Sequence, residues 1–313
     1  MSRLVPYDAT LVERIDLTDT LAIFRIAPDR PPERPWFSAG QYCVLGLNNA
    51  ANPGLGGVSR AMSIASAPEA EGPVEFYVRR VSRPVSANPL TPLLWPLTAG
   101  DRLHMGVAAA GTFTIHDTIG ADDPRVRVLV AAGTGVAPFV SMIRSEVCRN
   151  PRADLSKWVL LHGVSYPTEL GYHAELVARA ETSRLKYWGT VSRPGEANEW
   201  RGDVGRVESF FEGGRLNDFE RRLCLADGSF VPRTAVVFVC GPTGTLTGTI
   251  TALIDRGFVP RGERIRRALG VPPSIAESVF IEAYDPTPPI DVNDRPFVDS
   301  LRTRMQVALA KLP

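Results

Sequence analysis

Short runs rich in β-branched and aromatic residues fill the first third of the chain. They are "TLVERIDLTDTLAIFRIAP", "GQYCVLGLN", "RAMSIASAP", "VEFYVRRV" and "DRLHMGV", separated by Pro, Gly, Asn and Asp. Strands this short at this spacing predict a barrel or sandwich. From about Asp117 the pattern changes. Apolar strand-like runs now alternate with segments whose apolar residues recur at helical spacing. "VRVLVAAG" precedes a helix over Pro138–Arg149, and "KWVLLHGVS" precedes "GYHAELVARAETS". "LKYWGTVSR" precedes a short helix in "VESFFEGG", and "AVVFVCGPTG" precedes "TLTGTITALIDRGF". "SVFIEAYDP" reads as one more strand. Such alternation predicts a parallel sheet carrying helices on both sides. The polar segment "HDTIGADDPR" is the expected boundary, "CLADGSFVPRTA" the pattern of an inserted hairpin, and Phe297–Leu312 an amphipathic helix after a Pro-rich link.

The junction "RVRVLVAAGTGVAPFVSMIR", Arg125–Arg144, stands out within this pattern. Val126, Val128, Leu129 and Val130 suit a central parallel strand. Ala131, Ala132, Gly133, Thr134 and Gly135 then offer backbone and one hydroxyl, and Pro138 sits where a first helical turn favours proline. A helix start stripped of side chains suits an anion such as phosphate. A plain tight strand-to-helix turn accounts for the same residues.

Length and composition add bounds. A chain of 313 residues accommodates two domains. Its 44% hydrophobic and 22% charged residues describe an ordinary globular protein, and a net charge of +1 points to neither nucleic acid nor an acidic membrane. No apolar stretch approaches the roughly 20 residues of a membrane span. "MSRLVPYDAT" has no signal-peptide core, so a cytoplasmic location is expected. Cys43, Cys148, Cys224 and Cys240 lack metal-site spacing, as do His104, His116, His162 and His173; each histidine is expected at the surface or hydrogen-bonded in a core. Neither a G-x-S-x-G elbow nor a G-x-x-x-x-G-K-[ST] loop is present.

Arg60 and Ser63 in "RAMS" combine a guanidinium fork with a hydroxyl, which is phosphate-binding chemistry, although taken alone an exposed edge-strand arginine is the better account. Read in chain order, Arg60-x-x-Ser63, "EFYVRRV", "LTPLL", "AGDRL", "GTFTI", "AAGTGVAPFVSMIR", "TVSRP" and "CGP" form a series. This series resembles the ferredoxin–NADP reductase family, and most of all its bacterial ferredoxin (flavodoxin) reductases, from about Val12 to Tyr284. The resemblance implies an antiparallel β-barrel that binds FAD, residues 1–120, a parallel-sheet α/β domain that binds NADP(H), residues 121–285, and a C-terminal extension, residues 286–313.

Carried over residue by residue, Arg60 and Ser63 would hold the FAD pyrophosphate and the flavin edge, and Thr91 the diphosphate. Phe76, Tyr77 and Val78 would run beside the isoalloxazine, and Gly111, Thr112 and Phe113 would close its site. Met62 stands where the family usually has a tyrosine, so the ring can be packed but not the hydroxyl supplied. Gly133, Thr134, Gly135 and Pro138 match the pyridine-nucleotide loop, and Ser192, Arg193 and Arg206 match a 2′-phosphate pocket. Cys240, Gly241 and Pro242 match the nicotinamide end, and Glu282 and Tyr284 match a C-terminal Glu-x-Tyr whose aromatic shields the flavin.

The implied activity is electron transfer between NADP(H) and a separate one-electron carrier such as ferredoxin or flavodoxin, through FAD and without a metal. A reductase component of an oxygenase shares these motifs. A flavin-poor nucleotide-binding subunit of a larger redox assembly is the reading from another class. The residues after Asp285 are expected over the flavin or the nucleotide cleft, gating access and contributing little to stability, or else as a surface helix packed far from it.

Overall fold

The computed structural model describes residues 4–195 and 200–311. It divides into two compact units, Met1–Ala121 with Ala137–Ala153, and Asp122–Val136 with Asp154–Pro313.

The first unit is antiparallel. Strands β1 (Ala9–Thr18), β2 (Leu21–Pro28), β3 (Tyr42–Asn48), β4 (Gly57–Ser63), β5 (Val74–Arg79) and β6 (Arg102–Met105) form one six-stranded sheet in the order β4-β3-β6-β1-β2-β5. Its two edge strands meet: Ile64, just past β4, bridges Phe76 of β5, and Ala65 N–H donates to the Glu75 carbonyl at 2.8 Å. The sheet therefore closes on a core that includes Leu11, Phe24, Ile26, Leu45 and Phe76. The short helices α1 (Leu90–Leu94) and α2 (Ile115–Thr118) belong to this unit. So does α3 (Ala137–Arg149), which follows a later strand in the chain. Phe139 of α3 packs on Phe113, Ser141 Oγ donates to the Ser66 carbonyl at 2.6 Å, and Arg144 reaches the buried Glu75 carboxylate at 2.8 Å.

The second unit is the parallel α/β part. Strands β7 (Val126–Ala132), β8 (Trp158–Val164), β9 (Lys186–Val191), β10 (Asp203–Val204), β11 (Ala235–Gly241) and β12 (Val279–Ala283) order as β10-β9-β8-β7-β11-β12, all parallel. With them run α4 (His173–Ser183), α5 (Gly213–Arg222), α6 (Thr243–Ile254), α7 (Glu263–Ala268) and α8 (Arg295–Leu309). Val128, Val130, Val159, Leu161, Val237 and Val239 alternate along their strands onto one face of the sheet. There they join Leu216, Phe219, Ile250 and Leu253 from the helices. An antiparallel β unit plus a parallel α/β unit is the architecture expected from the sequence.

One local expectation is corrected, and the C-terminal helix is placed. Residues 224–234 form turns and not a hairpin, because the side chain of the fully buried Glu220 takes the backbone donors a strand partner would use. Gly228 N–H and Phe230 N–H both donate to its carboxylate, at 2.9 and 2.8 Å. Phe230 then sinks among Phe211, Phe219 and Phe258. The C-terminal extension packs within the second unit. Asp294 caps α8 by accepting from Phe297 N–H, and Val298, Leu301 and Met305 enter the core of the second unit. Arg304 clasps Asp255 and the Thr251 carbonyl of α6, and Arg302 donates to the Ala268 carbonyl of α7. Leu312 lies outside the described residues.

Candidate functional site

In the first unit the closure of the barrel sets Met62 and Ser63, at the end of β4, near the Phe76–Val78 stretch of β5. Arg60 is exposed, donating to the Ser59 carbonyl at 2.7 Å and lying 3.5 Å from Ser86 Oγ. Met62 is half-buried against the barrel core. Phe76 and Val78 point into that core, so a ligand beside β5 meets their backbone. Thr91, in α1, accepts Val81 N–H at 3.0 Å, which leaves its hydroxyl hydrogen to donate. Gly111 adopts φ +102°, and a Cβ there would press on the Tyr42 ring at 3.1 Å; the Gln41 amide donates to its carbonyl. Thr112 follows, and Phe113 is buried on Phe139.

In the second unit the turn Gly133–Val136 follows β7 and leads directly into α3, where Pro138 occupies the first turn. Its two glycines answer different demands. Gly135 is packed so closely on the end of β11 that a Cβ would collide with the Cys240 carbonyl and sit 3.1 Å from Gly241 N. Gly133 is left-handed, φ +56°, with nothing within 4 Å of where its Cβ would be. Open space over a left-handed glycine is what a ligand lying on bare backbone requires.

Cys240, the penultimate residue of β11, stands opposite Glu282 of β12 in the parallel register. Its thiol is fully buried, and burial pushes its pKa well up; the Glu282 charge adds to this, and the adjacent Tyr284 hydroxyl opposes it. It is therefore a neutral, space-filling group and not a nucleophile. Tyr284, 44% exposed, donates its hydroxyl to the Thr134 carbonyl at 3.0 Å. Gly241 (φ +151°) and Pro242 link β11 to α6. The fold thus gathers the turn, the end of β11 and the end of β12 at one edge of the sheet.

A second group of predicted residues lies at β9 and β10, which β8 separates from β7 in the sheet order. Asp203 pairs with Thr190 and Val204 with Val191, and Ser192, Arg193 and Arg206 follow just past the ends of these two strands. Both arginines and Ser192 are exposed. The backbone under them is fixed: Gly205 N–H donates to the Val191 carbonyl, Thr190 Oγ1 to the Gly205 carbonyl, and Arg193 N–H to the Ser165 carbonyl. Arg206 lies 3.6 Å from Glu208.

Sequence reasoning did not single out Asp285. Its carboxylate accepts from Thr243 Oγ1 at 2.6 Å and from Thr287 N–H at 3.0 Å, and the Thr243 bond holds its pKa below the usual carboxylate range. The signal was a carboxylate directly after the Glu-x-Tyr segment. Among the described residues no group of His, Cys, Asp or Glu is arranged to hold a metal ion, and no helix is long and apolar enough to cross a membrane.

Comparison with known proteins places the chain in a family. Residues 129–249 match the family model of the oxidoreductase NAD-binding domain. Ferredoxin–NADP reductase B of Sorangium cellulosum is 33% identical over 250 residues, covering 80% of this chain and 86% of its own. Ferredoxin–NADP reductase of Azotobacter vinelandii is 30% identical over 261 residues, covering 79% and 88%. The Neisseria gonorrhoeae ferredoxin NADP+ reductase, solved with bound FAD and NADP, superimposes with a TM-score of 0.67 at 22% identity over 88% of this chain and 97% of that one. With a relative 33% identical along 86% of its length, this chain belongs to the ferredoxin–NADP reductase family.

Proposed function

We propose that this protein is an FAD-dependent reductase that exchanges electrons between NADP(H) and a small one-electron carrier of the ferredoxin or flavodoxin type. FAD supplies the exchange between a hydride and single electrons. The donor set of the first unit fits its diphosphate: the Arg60 guanidinium and the Ser63 and Thr91 hydroxyls offer charge and hydrogen bonds. Met62 packs one face of the ring system, and Phe76–Val78 and Gly111–Phe113 border it. Gly133, Thr134 and Gly135 of the second unit, with Pro138 at the start of α3, receive the pyrophosphate of NADP(H), and Ser192, Arg193 and Arg206 its 2′-phosphate. Cys240, Gly241, Pro242, Glu282 and Tyr284 border the nicotinamide, with Cys240 filling space as a neutral thiol. Residues 1–120 then form the FAD domain, residues 121–285 the NADP(H) domain, and residues 286–313 an extension belonging to the latter.

The observation that carries this reading is the pairing of β9 with β10, past whose ends come the exposed Ser192, Arg193 and Arg206, two guanidiniums and a hydroxyl. A pair of that kind suits a dianionic 2′-phosphate and gains nothing from a free hydroxyl. The test is anaerobic reduction of the flavin by NADPH and by NADH. Losing one charged hydrogen bond costs about 1.5–3 kcal/mol, so Arg193→Ala should weaken NADPH about tenfold or more and leave NADH unchanged. Equal losses for both coenzymes would refute the assignment.

A further inference from the structure

Strand β8, Trp158–Val164, is buried along its whole length and carries one polar side chain, His162. The imidazole is fully buried, and Nε2–H donates to the Gly133 carbonyl at 3.1 Å. Its other nitrogen, Nδ1, is buried with no hydrogen-bond partner. A leucine would fill this interior position without orphaning a polar atom. The histidine is retained against that cost, and the one thing it does that leucine cannot is hold the oxygen of a glycine in the turn.

Holding that oxygen has a directional effect. In a trans peptide the C=O and the following N–H point to opposite sides. The Gly133–Thr134 bond is trans, since the cis bond found lies at Arg34–Pro35. With the Gly133 oxygen drawn toward β8, the Thr134 N–H must point away from His162. Gly133 alone would not enforce this, because a glycine with empty space around it is free to turn over. Burial keeps the ring uncharged by drawing its pKa down to about 4, so one fixed tautomer with hydrogen on Nε2 serves across the working range. The next carbonyl, of Thr134, is held by the half-exposed Tyr284, which has room to leave; His162 has none.

We propose that His162 is a positioning residue for NADP(H), orienting the Gly133–Thr134 peptide so that its N–H serves the pyrophosphate. This rests on reading the turn as the nucleotide site.

The test is equilibrium binding of NADP+ by calorimetry, beside binding of adenosine 2′-monophosphate, which lacks the pyrophosphate. His162→Leu should weaken NADP+ about fivefold, the scale of one lost hydrogen bond, and leave the monophosphate unchanged. Its melting temperature at pH 8 should not fall. His162→Gln, whose amide can donate from a similar reach, should restore most of the affinity; His162→Asn, a shorter amide, should not. The Gln and Asn pair keeps the test open if the leucine variant fails to fold. Unchanged NADP+ affinity in His162→Leu, or equal affinities in Gln and Asn, would overturn the positioning role. Equal weakening of both ligands would also overturn it, as a general structural effect. An unmodified protein that binds the monophosphate but gains nothing from the rest of NADP+ would instead overturn the reading of the turn itself.

Discussion

Truncating Leu301 to alanine tests whether the C-terminal extension is part of the core. Leu301 is fully buried on α8 among residues that include Ile250 and Leu253 of α6. Leucine and alanine are both good helix formers, so the backbone contributes little to the difference. What is lost is the burial of three carbons and the packing around the space they leave, about 3 kcal/mol for a site that cannot collapse. For a unit of this size that converts to a melting shift of about 6–12 °C. Scanning calorimetry on the full chain reads it directly. Val307→Ala, on the same helix but 51% exposed, is the control and should shift by about 2 °C or less. If Leu301→Ala melts within about 2 °C of the parent, the helix is an appendage and its packing has been misjudged. The sequence-based expectation that this extension adds little to stability is replaced by this one.

The two glycines of the turn should respond differently. Gly135→Ala forces an atom into the Cys240 carbonyl and should cost about 3 kcal/mol or more, whereas Gly133→Ala meets only the left-handed φ, about 1–2 kcal/mol; urea unfolding that ranks them the other way contradicts the geometry. Iodoacetamide at pH 8 should label the exposed Cys148 and Cys224 in the native protein and all four thiols after unfolding, because burial pushes Cys43 up to about 12 and Cys240 well up; labelling of native Cys240 at the rate of Cys148 would refute its burial. Acid should reveal His162. Its folded pKa of about 4 lies below the ordinary 6.5, so between those values the unfolded chain binds the extra proton and stability falls as pH falls. The loss totals about 3 kcal/mol from pH 6.5 to pH 4 at about 1.4 kcal/mol per unit, and burial of His173 acts in the same direction. His162→Leu should flatten that slope in calorimetric melts; an unchanged slope would mean that other groups carry it.

Much of the architecture was legible because period-two runs gave way to alternating strand and helix patterns near Asp117. The hairpin misreading arose because "CLADGSFVPRTA" has strand composition, while the group that decides its conformation, the Glu220 carboxylate, is distant in pattern and supplied by a helix. Helix α5 was hidden by its glycine start, Gly213 and Gly214, and by having few apolar positions beyond Leu216 and Phe219. At the site, the turn was visible as a run without side chains. Its sequence could not separate Gly135, required by the end of β11, from Gly133, required by φ. That Arg193 and Arg206 follow two paired strands needs the β9–β10 register, which no local pattern carries. From sequence His162 reads as either a surface or a hydrogen-bonded core histidine, and it is the latter; that its partner is the Gly133 carbonyl is a tertiary fact.

Asp285 gives α6 an internal ligand. The amide and hydroxyl of Thr243 at the start of that helix would otherwise be the natural seat for a buffer anion, and a carboxylate on the adjoining chain already fills it. Being covalently tethered, it competes at an effective concentration in the millimolar range or above, which a freely diffusing sulfate or phosphate must exceed merely to match. Its lowered pKa keeps it charged through mild acid, so the occupancy persists there. One helix end at this edge of the sheet is thereby closed to stray anions.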